Sequence, residues 1–533
     1  MSFFPYFTIF LTHDAVYPQP MSPPQKNLWR GWEIFRGARL RVCHSESAHE
    51  SQTFFGAADG PRNPSPPRRK FLLLFVAFLT LLCYYWSRTK AFGISERLFL
   101  LLKYTLTSIN NQNGNGGKVM NTGDTTFILF CSTLVFFMTP GLAFFYGGLV
   151  RRKNVLNTMM SSLFIMGLSS ALWILVGYSL SFSGDHGHII GDFTNAFLRG
   201  IGMNDLSQYS ETIPALVFVG FQMMFAIITP ALITGSVAGR MRFKALFIFI
   251  LLWLFVVYYP LAHMVWGKGG FLGEVLGSVD FAGGNVVHIS SGVSGLVLSL
   301  LLGSRRGYKK QAYATHNVPF IILGATILWF GWFGFNAGSA LAANGLAAHA
   351  FMTTGTSAAF ALLSWMAVDV IVTGKPTVVG ASTGAVLGLV AITPGAGFVP
   401  LWASIIIGIC VSPICYFTMS VVKAKFGYDD ALDAFGCHGV GGIWGGLATG
   451  LFAHQSINSN LRWNGLVYGD WHLLGAQALS IVITIAIAIA GTLICAGIVR
   501  LFTPLRVTEM EERIGLDKSQ HGENAYPSFN GLD

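Results

Sequence analysis

DFAGGNVVHISSGVSGLVLSLLLG, residues 280–303, is an apolar run that carries one histidine, His288, near its start. A second stretch, DAFGCHGVGGIWGGLATGLF (433–452), repeats the arrangement around His438. Glycines follow each histidine at +4 and +7, Gly292 and Gly295 in one case, Gly442 and Gly445 in the other. Each is preceded by an Asp-x-x-Gly, at Asp280 and Asp433. An ionisable side chain at membrane depth is costly, so it faces the protein interior or a pathway rather than lipid. Two such sites with matching patterns predict a duplicated unit whose copies meet at a shared pathway.

Composition agrees with a membrane fold. Hydrophobic residues make up 53% of the chain and charged residues 11%. Several apolar runs reach the roughly 20 residues of helix that cross a hydrocarbon core. Continuous runs of this kind exclude a β-barrel, which alternates in short strands. The expected class is an all-α polytopic membrane protein. From residue 124 onward the runs define eleven spans, near 125–149, 155–182, 212–235, 243–264, 284–303, 318–338, 346–373, 377–393, 399–422, 437–453 and 474–502.

The loops orient these spans. Those after spans one, three, five, seven and nine hold 13 Lys or Arg, whereas the others hold only Arg199, Lys268 and Arg462. The positive-inside rule then places the odd loops and the C-terminal tail in the cytoplasm. Five spans separate the two histidines, so the second copy is inverted relative to the first. Span eleven is left over and braces the outside of the bundle.

Three regions follow: 1–119, an N-terminal extension; 120–503, the membrane domain; and 504–533, the tail. The extension is mostly irregular and rich in Pro, Ser and Arg, with an apolar segment at 71–86 that reads as a signal-anchor or as a stretch outside the mature protein. It carries 14 Lys/Arg against 6 Asp/Glu, while the rest carries 20 against 18, so most of the net charge of +10 belongs to it. No nucleic-acid motif or basic helix accompanies the main body. The seven cysteines form no Cys-x-x-Cys and read as core-packing residues. The sequence offers no metal cluster, nucleophile motif or phosphate loop, so neither an enzyme nor a cofactor is expected.

The topology points to a mouth. Span four ends outside at Trp266, span three carries Phe225 a little way in, and span six carries Trp332, Phe335 and Ser339 near its outer end. Aromatic faces attract a cation, and a serine oxygen accepts from an N–H donor. This suits a small protonated amine, although an interfacial aromatic belt would use the same residue types. The histidines read either as buried links between helices or as a pair lining a narrow passage. Asp280 reads first as structural support, its carboxylate accepting backbone N–H bonds, and second as electrostatic help to a cation. Asp429, Asp430 and Asp433 read as acids at the start of span ten, favourable to the helix dipole.

MTPGLAFFYGGLVRRKNVLNTMM, AHMVWGKGG, DFAGGNVVHISSGVSGLVL, GWFGFNAGSAL, YDDALDAFGCHGVGGIWGG and EERIGLDKSQHGENAY occur in this order. Together they resemble the ammonium transporter (Amt/Mep/Rh) family, most of all its bacterial members, from about residue 120 to residue 526. The resemblance implies eleven spans in a five-plus-five inverted repeat with a central pore, and a homotrimer in the plasma membrane. It implies recruitment of ammonium at Phe225, Trp266 and Ser339 and a gate of Phe225 and Phe335 with Trp332 beside it. His288 and His438 would line the passage for ammonia, with Asp280 below the mouth. It further implies a cytoplasmic tail that regulates transport and a PII-type signal protein as partner. Trp266 and Ser339 look like the ammonium-transporter branch rather than the Rh branch. A sensor that binds ammonium without flux is the alternative of a different class.

Overall fold

The computed structural model describes residues 119–310 and 313–526. The expected extension, with its apolar segment at 71–86, lies outside the described residues except for Val119, as do tail residues 527–533.

Helical segments occupy all eleven expected ranges. They are α1 (Thr122–Leu149), α2 (Val155–Leu172, continuing as Trp173–Gly177 and Tyr178–Phe182), α3 (Ala215–Val237) and α4 (Phe243–Trp253, Leu254–Tyr258 and Tyr259–Trp266). Then come α5 (Gly284–Ile289 and Ser290–Leu302), α6 (Val318–Gly338), α7 (Gly345–Thr373) and α8 (Val378–Ile392). The last are α9 (Leu401–Phe417, Thr418–Val422 and Lys423–Phe426), α10 (Phe435–Gly439 and Val440–Phe452) and α11 (His472–Arg500). No β-strand occurs among the described residues. Among the described residues, nine helices are long and apolar enough to cross a membrane by length and composition. The 15 residues of α8 rise only about 22 Å.

Local chemistry sets several starts. Asn121, Asn317, Asn344 and Thr377 each stand before a helix and accept the N–H three residues on, satisfying a donor that has no partner within the helix. Outward faces stay apolar: Leu163, Ile371, Val482 and Ile494 are more than half exposed, as a lipid-facing surface requires. Inward, small residues bring backbones together. Along α1 and α6, Gly148 packs on Ile321, Gly324 on Phe145 and Gly331 on Met138, with no room for a methyl group at any of them.

The duplication has a structural counterpart. α5 and α10 each open with a π-helical turn that carries the histidine, and each continues as a 13-residue α-helix. They cross at the +4 glycines. A Cβ on Gly292 would strike the backbone of Gly439, and one on Gly442 would lie 3.1 Å from the Cβ of His288. The +7 glycines repeat the symmetry, since Gly295 abuts Ser236 of α3 and Gly445 abuts Ala391 of α8, the helix five spans further on.

α11 does more than brace. Gln477 accepts the N–H of Val279 at 2.8 Å and donates to its carbonyl at 2.9 Å. Ser480 accepts from the Asn285 side chain at 2.8 Å. Together they fix the segment that leads into α5. The tail folds back as α12 (Glu509–Ile514), started by a Thr508–Glu511 capping box. It lies across the basic loops: Glu511 pairs with Arg242 at 2.9 Å, and Lys153 donates to the carbonyls of Glu512 and Arg513.

Candidate functional site

Trp266 closes α4, and its indole N–H donates 2.9 Å to the backbone carbonyl of Asp280. That single bond ties the mouth to the approach of α5. The ring stands edge-on to Phe225 of α3, 5.8 Å between centroids, and Phe225 lies 4.4 Å from Phe335 of α6. Phe225 and Phe335 are both buried. One turn beyond Phe335, the Ser339 hydroxyl donates 2.9 Å to the Phe335 carbonyl. Its proton is thereby committed, while the oxygen keeps lone pairs with which to accept.

Beyond this pair the rings continue. Trp332 is 5.3 Å from Phe335 and stacks on His288 at 5.4 Å, and His288 stacks on His438 at 5.3 Å. The two Nδ1 atoms are 3.3 Å apart, so one donates to the other. His288 Nε2 is buried with no hydrogen-bond partner among the described residues. Beside the pair lies an apolar slit of about 10 Å3, lined by both histidines, Trp332, Phe335, Tyr146 and Leu232. That is about the room one water-sized molecule needs. At the other end of the helices, among the basic loops, opens a cavity of about 410 Å3, whose lining includes Arg151, Arg305, Tyr313, Trp365 and Asp433.

Asp280 takes the supporting part. Its carboxylate accepts from the backbone N–H of Gly283, Gly284 and Asn285 at 2.8, 2.6 and 2.7 Å. It thereby caps the π turn that presents His288. Gly283 adopts φ +119° to allow this wrap, a conformation that favours glycine.

The acids before α10 differ from expectation, because two of the three serve ion pairs rather than a helix end. Asp429 grips the Arg305 guanidinium through both oxygens, at 2.6 and 2.8 Å, and also accepts the Arg305 N–H. Burial alone would raise the Asp429 carboxyl, but Arg305 holds it below the usual carboxylate range. Asp433 pairs with Lys423 at 2.6 Å. Only Asp430 meets the start of α10, accepting the Phe435 N–H at 2.8 Å. Asp369 links two helix ends, accepting from Thr377 at the start of α8. Arg240, counted above as a topology signal, is buried and donates to the Asp429 carbonyl.

The structure thus brings Phe225, Trp266, Trp332, Phe335, His288 and His438 into one file, with Ser339 beside it and Asp280 behind it. Sequence reasoning missed Thr393, which accepts the Trp332 indole N–H at 2.9 Å. It also missed Tyr146 on the wall of the slit. Thr393 carries no sequence signal of its own, whereas Tyr146 lies in the MTPGLAFFYGGLV stretch quoted above and could have been found there.

A profile of the Ammonium Transporter Family matches residues 126–526. The ammonium transporter of Bacillus subtilis (strain 168) is 52% identical over 407 residues, covering 76% of this chain and 99% of its own length. That of Aquifex aeolicus (strain VF5) is 48% identical over 409 residues, covering 76% and 94%. Among solved structures, Mep2 of Candida albicans superposes with a TM-score of 0.70 at 33% identity, covering 76% of this chain and 93% of its own. A protein described as a sensor Amt protein gives 0.67 at 26% identity, covering 75% and 98%.

Proposed function

The chain belongs to the ammonium transporter family, and on that footing we propose that the file of rings from Trp266 to His438 is its conducting path. The carrying observation is that the file is unbroken, with successive centroids 5.8, 4.4, 5.3, 5.4 and 5.3 Å apart. Ammonium gathers at the mouth, where the faces of Trp266 and Phe225 attract the cation by about 0.5–2 kcal/mol and Ser339 Oγ accepts one N–H. Taking the bare ion into the apolar slit carries a desolvation cost that neutral ammonia largely escapes. The ion therefore gives up its proton to solvent water at the mouth, before the Phe225–Phe335 plug, and ammonia moves on. His288 Nε2, lacking a partner, offers it one hydrogen bond in passing.

Family membership and the basic loops support the remaining assignments. The Trp266 mouth faces outside, the loops and tail face the cytoplasm, and the protein sits in the plasma membrane as a homotrimer with one path per subunit. The large inner cavity is the exit. A PII-type signal protein docks on the cytoplasmic face formed by the basic loops and tail.

The test is methylammonium uptake, recorded together with current, by purified protein in proteoliposomes. Uptake by the wild type that collapses in Trp266→Leu and changes in selectivity or rate in His288→Ala and His438→Ala supports the path. Binding without flux in correctly assembled wild type makes the protein a sensor. Wild-type behaviour in both histidine variants removes the pair from the route.

A further inference from the structure

Trp266 is the last residue of its helix, and the chain leaves it through Gly267, Lys268, Gly269 and Gly270. A glycine-rich exit is conformationally loose, so something must hold the aromatic still. One side is held by the indole bond to Asp280. The other side meets the loop after α2, where Asp185 of the loop, itself joined to His188, engages His263 of α4.

His263, one turn before Trp266, is fully buried. Its Nε2 lies 3.1 Å from Asp185 Oδ1 and its Nδ1 lies 3.2 Å from the Ser181 carbonyl. Asp185 also accepts the backbone N–H of His188 at 2.9 Å. The His188 Nδ1 reaches Asp185 Oδ2 at 3.2 Å and the Gly269 carbonyl at 2.6 Å, so this nitrogen carries its proton. The Phe271 N–H returns a bond to the His188 carbonyl at 2.9 Å.

The glycines fit around this cluster. A Cβ on Gly269, whose φ is +84°, would lie 2.8 Å from Asp185 Oδ2, and one on Gly267 would lie 2.6 Å from His263 Nδ1. His188 itself adopts φ +64°, a conformation costly for a non-glycine residue and held only by its surroundings. Slight burial of Asp185 works to raise its carboxyl, yet the bonds from His263 and His188 keep it below the usual range. One carboxylate thus joins the helix that ends in Trp266, the loop that follows Trp266, and the loop after α2.

We propose that Asp185, His188 and His263 form a clasp of positioning residues that sets the Trp266 ring for cation recruitment. The proposal rests on the reading of Trp266 as the recruitment aromatic. None of the three touches the path. Their action is to reduce the freedom of the ring, so that cation binding does not have to order it.

The test compares concentration dependence of methylammonium uptake in proteoliposomes for Asp185→Asn, Asp185→Glu, His188→Ala, Gly269→Ala and Trp266→Leu. Losing one charge-assisted bond at the mouth raises the half-saturating concentration about tenfold, while the maximal rate, set deeper in the path, stays within about twofold. Asp185→Glu keeps a carboxylate and recovers most of the affinity. Gly269→Ala reproduces Asp185→Asn, because its methyl group displaces the carboxylate from the opposite side. If Asp185→Asn does not assemble, His188→Ala, on the exposed edge of the cluster, gives the same reading. Wild-type affinity in Asp185→Asn or His188→Ala and in Gly269→Ala, with Trp266→Leu impaired, overturns the clasp. Unchanged affinity in Trp266→Leu overturns the recruitment reading instead. A fall in maximal rate alone makes the cluster a general structural element and overturns the proposal.

Discussion

Replacing Gly292 by alanine tests whether the two histidine helices must touch for the path to work. A Cβ there would lie 2.7 Å from Gly439 Cα and 3.0 Å from the carbonyl carbon of His438, and nearer still to the Gly439 nitrogen. These are backbone atoms, which cannot swing aside as a side chain can. Restoring ordinary contact of about 3.4–4.0 Å between carbons moves α10 away by about 0.7–1.3 Å. The Nδ1 atoms, now 3.3 Å apart, would then stand about 4.0 Å apart or more, beyond hydrogen-bond reach. Overpacking costs about 1–3 kcal/mol, and the lost bond about 0.5–1.5 kcal/mol more. The expected result is assembled but less stable protein whose methylammonium uptake falls tenfold or more, equivalent to about 1.4 kcal/mol in the barrier. Proteoliposome uptake measures the rate, and thermal unfolding of the solubilised protein measures the stability. Gly167→Ala, with nothing within 4 Å of the new Cβ, is the control and should behave as wild type. A Gly292→Ala protein with normal uptake and stability refutes the idea that the crossing sets the histidine geometry.

Thr393→Val keeps the shape of the side chain but leaves the buried Trp332 indole N–H without its acceptor, at about 1–3 kcal/mol; slower uptake with little change in half-saturation would follow. Asp280→Asn replaces a two-oxygen acceptor with a single oxygen and an amide donor facing backbone N–H groups, so a loss of about 1–3 kcal/mol per stranded donor should appear as poor assembly on size exclusion. The tail should loosen in acid. His316 donates to or accepts from Tyr526 at 2.9 Å and His521 contacts Asn157 at 2.9 Å, and burial holds both imidazoles below the ordinary histidine value. The docked tail is therefore favoured above about pH 6.5 and loses that support as the pH falls from there through the lowered values; proteolysis of the tail should quicken near pH 5.5, and unchanged resistance would refute the assignment.

Helix positions were legible because a lipid-facing helix must be apolar along its whole length; the starting caps at Asn121, Asn317, Asn344 and Thr377 were not read from the sequence and emerge from the structure. The residues that meet in the file of rings stood out in the sequence because His288, His438 and Trp266 are chemically out of place in their surroundings. The π turns in α2, α4 and α9 left no such trace, since one extra residue in an apolar run changes no residue type. Thr393 was invisible for a related reason: a hydroxyl that also bonds its own helix, as this one does to Leu389 at 2.7 Å, looks like an ordinary helical threonine. The loop charges were only partly topological. Arg240, Arg242, Arg305 and Lys423 each hold a partner from a distant loop, the tail or the loop that follows, and a residue count cannot separate that use from orientation.

The two copies of the repeat align differently from how their motifs suggest. Asp280 and Asp433 share an Asp-x-x-Gly, yet one lies eight residues before its histidine and the other five. Counted from the histidines, the partner of Asp280 is Asp430, and the hydrogen bonds agree. Asp280 Oδ2 accepts from Asn285 and Asp430 Oδ2 accepts from Phe435, each five residues on. Asp433 then matches Gly283, and both have positive φ, +57° and +119°. The backbone at that position must turn left-handed to let a carboxylate cap the π turn behind it. Glycine meets the demand in one copy. In the other, aspartate, among the residues that tolerate this conformation best, meets it and uses its freed side chain to hold Lys423 at 2.6 Å. The constraint common to both halves is therefore the capped turn that aims each histidine, not the motif visible in the sequence. Outside that turn the copies have diverged: before α5 the Asp280 carboxylate is bound wholly into backbone, whereas before α10 a second carboxylate, Asp433, stands where the first copy has glycine and pairs with Lys423 beside the 410 Å3 cavity.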